Sequence, residues 1–483
     1  MKKIFWFCLP AVLLATSCVK DLEDDYNIDP KKATVVPPAT LVSNAQHVLT
    51  NTITTPSYNI NPFRYYVQHW AAVQYPDESQ YDIATRQINR FFWDPLYRDV
   101  LGDLREARRL LDADLLMDAN LKASQIATIE VLEVYTWSVL VNTYGNIPYS
   151  QALDITNVQP AYDDDAAVYN DLFSRLDAAI ALMEQNAGEP GIGTGDLLYG
   201  GGMESWIKFA NSLKLRLGIT IADADPVKAR AMAEAAANYP DGLFTSPAEE
   251  AKLPYTANIP TANQVYYELR RRNDNVAANT FVTQLQALED PRIDEFFRPA
   301  TEGVNNGKIV GGIYGEPNVY EEFAQPGDIL RDAELPGMLL SYTEVEFLLA
   351  EAKARGFNVG AETAAAHYNK AITSSIVNDW GGTMAEAQTY LAQPGVAFNT
   401  GTWQERIGIQ KWIALHNQPV EGWKEWRRLD YPVLEKPALA RTDIPLRFPY
   451  PIQEVNLNNA NYQTAAAAMG GDEVTSRIFW DVD

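Results

Sequence analysis

Apolar residues recur at three- and four-residue intervals along most of this chain, a spacing that commits it to amphipathic helices. Asp94-Pro95 reads as a cap and first turn, and Leu96, Val100, Leu104, Ala107 and Leu111 follow at helical spacing. Residues 124–144 read as a second long helix, closed by Gly145 and Pro148. Val168, Leu172, Leu176, Ala179, Ile180 and Met183 line a third. Trp206, Phe209, Leu213 and Leu217 line a fourth, and Pro226 opens an alanine-rich partner reaching Tyr239-Pro240. The clearest pair covers 342–355 and 361–378: Leu348, Leu349 and Ala352 on the first helix, Tyr368, Ala371 and Ile372 on the second. Gly356 separates them. A long helix, a short turn and an amphipathic partner form the unit of tetratricopeptide-type stacks. The period is irregular, so the number of hairpins stays open. Strand signals are few, and 188–202 and 301–336 read as long loops with minor short hairpins at most. The expected fold is all-α, a TPR-like stack of helix hairpins with long irregular loops.

The first thirty residues bear on the compartment. Lys2 and Lys3 precede Ile4–Ala15, an almost wholly apolar run of twelve residues. A membrane-spanning helix needs roughly 20, so the run reads as a removed leader. It ends Leu13-Leu14-Ala15-Thr16-Ser17-Cys18, which resembles the bacterial lipobox, cut before a cysteine that is then acylated. The two cysteines are Cys8, inside the leader, and Cys18. A mature chain with one thiol forms no internal disulfide and relies on a large core. Buried acyl methylenes contribute about 0.8 kcal/mol each, and firm anchoring takes more than one chain, such as palmitate. Past Cys18, Lys20-Asp21-Leu22-Glu23-Asp24-Asp25 resembles the signal that sends Bacteroidetes lipoproteins to the cell surface. The alternatives are an ordinary cleaved signal with a leftover thiol and a solvated linker. The expected organisation is a lipoprotein signal peptide at 1–17, an acylated start and tether at 18–40, and one helical domain at 41–483. The expected location is the outer membrane, lipid-anchored and facing outward.

Charge and motif content exclude several classes. Net charge is −24, and a leader carrying off Lys2 and Lys3 would leave −26. Nucleic acid is a poor partner for such a body, because binding it requires basic stripes that release counterions. His47, His69, His367 and His416 lie far apart, without zinc spacing. No Gly-x-Ser-x-Gly elbow and no Asp-x-Asp-x-Asp-Gly calcium loop is present. Gly191-x-Gly193-x-Gly195 lacks the strand-loop-helix setting of a phosphate cradle, and Asp163-Asp164-Asp165 reads as helix capping or as a solvated run. The sequence therefore points to no catalytic residues, no metal and no cofactor.

Aromatic density is the positive signal. Eleven of the forty residues from Tyr58 to Tyr97 are aromatic, against 11% for the whole chain. Flat rings stack on the C–H faces of sugars, and polar neighbours at the ring edges take the hydroxyls. Phe63, Val67 and Trp70 fit i, i+4, i+7, which favours packing for Trp70 over exposure, and the Trp70 ring is kept as a candidate ligand contact beside the loop that follows. Gln74, Tyr75, Asp77, Gln80 and Tyr81 form one candidate loop, two rings around polar side chains. Arg271 and Asn273, with Tyr314 and Tyr320 from the long loop, form a second candidate surface near Tyr266, Tyr267, Arg270, Arg272 and Asp274. Its alternative reading is a helix end with solvated arginines.

Five segments in order resemble the SusD/RagB family, in its second SusD-like branch. They are 142–149 (NTYGNIPY), 206–214 (WIKFANSLK), 346–352 (EFLLAEA), 425–432 (EWRRLDYP) and 444–451 (IPLRFPYP). With the lipobox, the resemblance covers nearly the whole chain. It implies an outer-membrane lipoprotein on a TPR-like scaffold, resting on a TonB-dependent, SusC-like barrel. Such a protein captures oligosaccharides, or in some members peptides, and delivers them to the transporter. The motifs themselves read as structural, and no ligand residue carries over from the family. The expected function is substrate capture without catalysis. The alternatives are a surface glycoside hydrolase and a helical scaffold that binds only protein.

Overall fold

Several helices in this chain start where a side chain can accept from otherwise free amides. The computed structural model describes residues 36–240 and 242–482. The leader, Cys18 and the tether to residue 35 lie outside the described residues. The main helices are α1 (Pro38–Thr54), α2 (Gly102–Ala113), α3 (Ala119–Tyr144), α4 (Asp165–Gln185), α5 (Met203–Thr220) and α6 (Pro226–Ala237). They continue with α7 (Gln264–Arg271), α8 (Tyr342–Ala354), α9 (Ala364–Ser374), α10 (Trp403–Ala414) and α11 (Pro419–Leu429). Asp118 caps α3 by accepting from the Asn120 and Leu121 amides, and Asp164 caps α4 through Ala167. Asp225, Asn263, Ser341 and Thr363 do the same for α6, α7, α8 and α9. Gly145, at φ 77°, ends α3 in a conformation few side-chain-bearing residues adopt.

Asp94-Pro95 corrects the sequence reading. Asp94 has helical angles (φ −56°, ψ −47°) and caps nothing. The helix Ile88–Asp94 runs on through a π-helical stretch, Pro95–Leu101, into α2. Proline lacks the amide and crowds the carbonyl four residues back, and a wider π turn accommodates both defects. Asp94 pairs with Arg90 at 3.0 Å instead. The second helix of the clearest pair also starts later than its spacing suggests, at Ala364 after the Thr363 cap, and ends in a π turn, Ser375–Asp379.

The hairpins pack as pairs: α3 on α4, α5 on α6 and α8 on α9, with α4 against α5 and α8 against α10. This is the expected all-α, TPR-like stack. Among the described residues, sheet is confined to four two-stranded antiparallel ribbons. Two of them matter below. β1 (Trp70–Ala72) pairs with β3 (Asn275–Ala277), and β2 (Ala251–Leu253) pairs with β4 (Gly337–Leu340).

The five motif segments meet in the core. Arg428 holds Glu351 through two bonds of 2.5 Å and Glu425 at 2.6 Å, and Lys411 also reaches Glu425 at 2.7 Å. Arg427 lies 3.6 Å from the Trp423 ring centroid and donates to the carbonyls of Leu446 and Asn142. The Phe448 amide donates to Thr143 O, and the Tyr450 hydroxyl to Asn146 O. Buried charges in such a network stabilise only while every partner is present. These residues hold the stack together.

Candidate functional site

Two three-residue strands assemble the candidate surface. The β1–β3 register sets Ala72 opposite Asn275, and the Val73 amide donates to Asp274 O at 2.9 Å. The loop after β1 is thereby fixed beside the loop before β3. Asn318 draws in the third excursion: its amide donates to Val73 O at 2.7 Å, and its side chain to Ala72 O at 2.9 Å. Gln80 Nε2 donates to Gly315 O at 2.8 Å, which ties the Tyr75–Tyr81 loop to the same excursion. The two candidate surfaces of the sequence are thus one place.

Exposure divides the candidates. Tyr75 is 51% exposed, and Gln74, Arg271 and Asn273 are also exposed. Asp77, Gln80 and Tyr320 are half-buried. Trp70 is 1% exposed, Tyr81 2% and Tyr314 6%, so none of these three offers a ring face to a ligand. Each has a packing role: Trp70 lies 5.0 Å from the Arg64 guanidinium, Tyr81 packs edge-on against Tyr66, and the Tyr314 hydroxyl donates to Tyr65 O. Much of the aromatic density between Tyr58 and Tyr97 is therefore core, including Phe63, Tyr66 and Phe92 stacked around Trp423 and Phe448.

Tyr58 and Arg86 complete the surface. The Arg86 guanidinium lies 5.2 Å from the Tyr58 ring centroid and 5.5 Å from that of Tyr75, a cation shared by two rings. It also pairs with Asp77 at 3.3 Å and Glu78 at 3.1 Å. Arg272 also lies 5.6 Å from the Tyr58 ring, donates to its hydroxyl at 2.9 Å and pairs with Asp274 at 2.5 Å. Burial, then the Asp274 charge, raise the Tyr58 phenol above its ordinary range, so it stays a neutral donor. Glu78 is pushed up to about 7 by burial, against the opposing pull of Arg86. The sequence marked Tyr58 only as part of the aromatic run and missed Arg86. No periodicity announces a loop arginine that bridges two rings.

The arrangement is two rings with their cations fixed, edged by exposed amide and guanidinium groups and half-buried carboxylates. It can hold a flat-faced, hydroxylated ligand by stacking and by edge hydrogen bonds. No cluster of three or more metal-ligating side chains occurs among the described residues. A cleft of about 550 Å³ opens between α2, α3 and α4, but its charged groups are engaged within the protein. There Arg175 pairs with Glu133 at 2.5 Å, and Arg105 donates to Ala152 O.

Comparison with known proteins bears on the fold and the family. Residues 30–451 match the family model SusD-like_2, described as starch-binding and associating with the outer membrane. A solved chitin-binding protein superposes with a TM-score of 0.80 at 25% identity, over 92% of this chain and 100% of its own. A SusD homolog from Bacteroides uniformis does so with a TM-score of 0.81 at 25% identity, over 92% and 99%. A chitin-binding SusD homolog from Flavobacterium johnsoniae, at 23% identity, shares the fold with a TM-score of 0.79 over 92% and 99%. No protein of curated function matches the chain. The family's described role is binding, not catalysis. With helical pairs, ribbons and ordered motifs matched across most of its length, this chain belongs to the SusD-like family.

Proposed function

We propose that this protein is a cell-surface capture subunit that binds oligosaccharides through the Tyr58–Arg86–Tyr75 surface and passes them on unaltered. The observation that carries the reading is Tyr75, a ring half open to solvent and backed by a shared cation, with exposed Gln74, Arg271 and Asn273 nearby. A sugar ring laid on Tyr75 buries its C–H face, while those polar groups take its hydroxyls. The family description as starch-binding and the chitin-binding relatives favour glycans over peptides. A shallow, largely preformed surface favours moderate affinity and ready release, which suits handover. The recipient is a TonB-dependent, SusC-like barrel, and acyl chains on Cys18 hold the capture subunit to the outer membrane facing outward. No helix among the described residues is long and apolar enough to cross a membrane, which is compatible with a lipid anchor.

Calorimetric titration of the purified chain with starch- and chitin-derived oligosaccharides, followed by chromatography of the recovered ligand, tests this reading. Saturable binding with ligand of unchanged length is expected. Shortened ligand would favour the glycoside hydrolase alternative, and no binding to any glycan or peptide would favour a protein-binding scaffold. Detergent extraction and capture through this chain is expected to bring a large β-barrel with it.

A further inference from the structure

Away from the stacking surface, a second cavity of about 240 Å³ opens between the β2–β4 ribbon, the end of α9 and the turn after α10. Its wall includes the last residues of the π turn that ends α9, Asn378 and Asp379, and π turns recur at functional sites. Leu335, Met338 and Trp380 give it an apolar side. Two carboxyl groups share this small space. Glu250 is buried; its Oε1 accepts from the Tyr342 amide at 3.0 Å, and its Oε2 pairs with Lys252 at 3.2 Å. Asp379 Oδ2 accepts from the Thr343 hydroxyl at 2.7 Å, while its Oδ1 accepts no hydrogen bond from any described residue.

Cations are fewer than carboxyls. Lys252 is the cation in the lining, and it is already divided between Glu250 and Pro247 O. Arg292, whose charge also reaches Asp379, is committed to Asp290 through bonds of 2.8 and 2.6 Å. Burial and the Glu250 charge therefore push the Asp379 carboxyl above its ordinary range. Asn417, on the same wall, is polarised from behind. Its Oδ1 accepts from Arg64 at 2.7 Å, and Arg64 is buried without a carboxylate partner among the described residues. The Asn417 Nδ2 donates to no acceptor among the described residues and is available to a ligand.

We propose that this cavity is a binding site for a small primary ammonium compound, the size of one amino sugar or one amino acid. The ammonium sits between Asp379 Oδ1 and Glu250 and supplies the missing cation, Asn417 donates to an oxygen of the ligand, and its body covers Met338 and Trp380. The site is independent of the capture surface, and neither Tyr75 nor Arg86 contributes to it.

The test uses a matched set of rings, with and without the charge. Glucosamine, N-acetylglucosamine and glucose are titrated calorimetrically into the full chain and its variants. Saturable glucosamine binding is expected, at least tenfold tighter than that of either neutral sugar. Asp379→Asn, nearly isosteric, should weaken glucosamine at least tenfold, and Tyr75→Ala should leave it unchanged. Glu250→Gln provides a second variant if Asp379→Asn does not fold. Equal affinity for glucosamine and glucose, no saturable glucosamine binding, or full binding by both carboxyl variants would overturn the proposal. Loss on Tyr75→Ala alone would assign the amine to the capture surface and also overturn it.

Discussion

Glu78 is 2% exposed, its carboxyl 3.1 Å from Arg86, and burial still pushes it from 4.5 up to about 7. A carboxyl raised on folding favours the native state fully below the unfolded value of 4.5 and loses that advantage as pH rises through about 7. The span corresponds to on the order of 3 kcal/mol. Glu78→Gln should therefore gain thermal stability relative to the parent at pH 8 and show little difference at pH 4.5, as thermal melts at the two values will report. Equal shifts at both would refute the assignment. Trp70 carries the opposite lesson. At 1% exposure, its replacement by alanine should remove about 3–5 kcal/mol of stability, measurable by denaturant titration. At residue scale the spacing favoured packing for Trp70, yet the residue also stood as a candidate ligand contact, which its burial rules out; and the sequence offered no means of separating Tyr81 from Tyr75. Both are tyrosines flanking one polar loop, and only the fold decides which side chain turns inward.

Among the elements, helices were the most legible part, because a buried stripe repeats within one stretch of chain. Where Asp94-Pro95 misled, a local rule met a tertiary solution: the helix continued by widening into a π turn. The ribbons were not legible. β1 and β3 are three residues each and pair across about two hundred positions, so no local alternation marks them. Yet that pairing is what brings the two candidate loops together. The motif segments were read as structural, and their contacts bear this out. Arg428→Met should cost about 3–5 kcal/mol by removing the guanidinium that Glu351 and Glu425 share and leaving these buried carboxylates only Arg355 and the lysines Lys411 and Lys424. Its melting temperature should fall while glycan affinity of the folded protein stays unchanged; a selective loss of affinity would contradict the structural role. Gly145→Ala forces a left-handed angle on a side chain that would also meet the Met469 thioether, at a cost of about 1–2 kcal/mol. Thermal melting checks that value.

The whole molecule combines a helical stack with irregular excursions that carry the proposed binding groups. Rings packed into the core and rings left at the surface come from the same forty residues, which is why aromatic density located the region without identifying the residues. What decides the account is whether the surface ring does the binding. The direct measurement is calorimetric affinity of the parent chain and of Tyr75→Ala for the tightest oligosaccharide found. Loss of one stacked ring should weaken binding about tenfold, equivalent to about 1.4 kcal/mol, with an unchanged melting temperature. Unaltered affinity in a folded Tyr75→Ala protein would contradict the account and place the ligand elsewhere on the molecule.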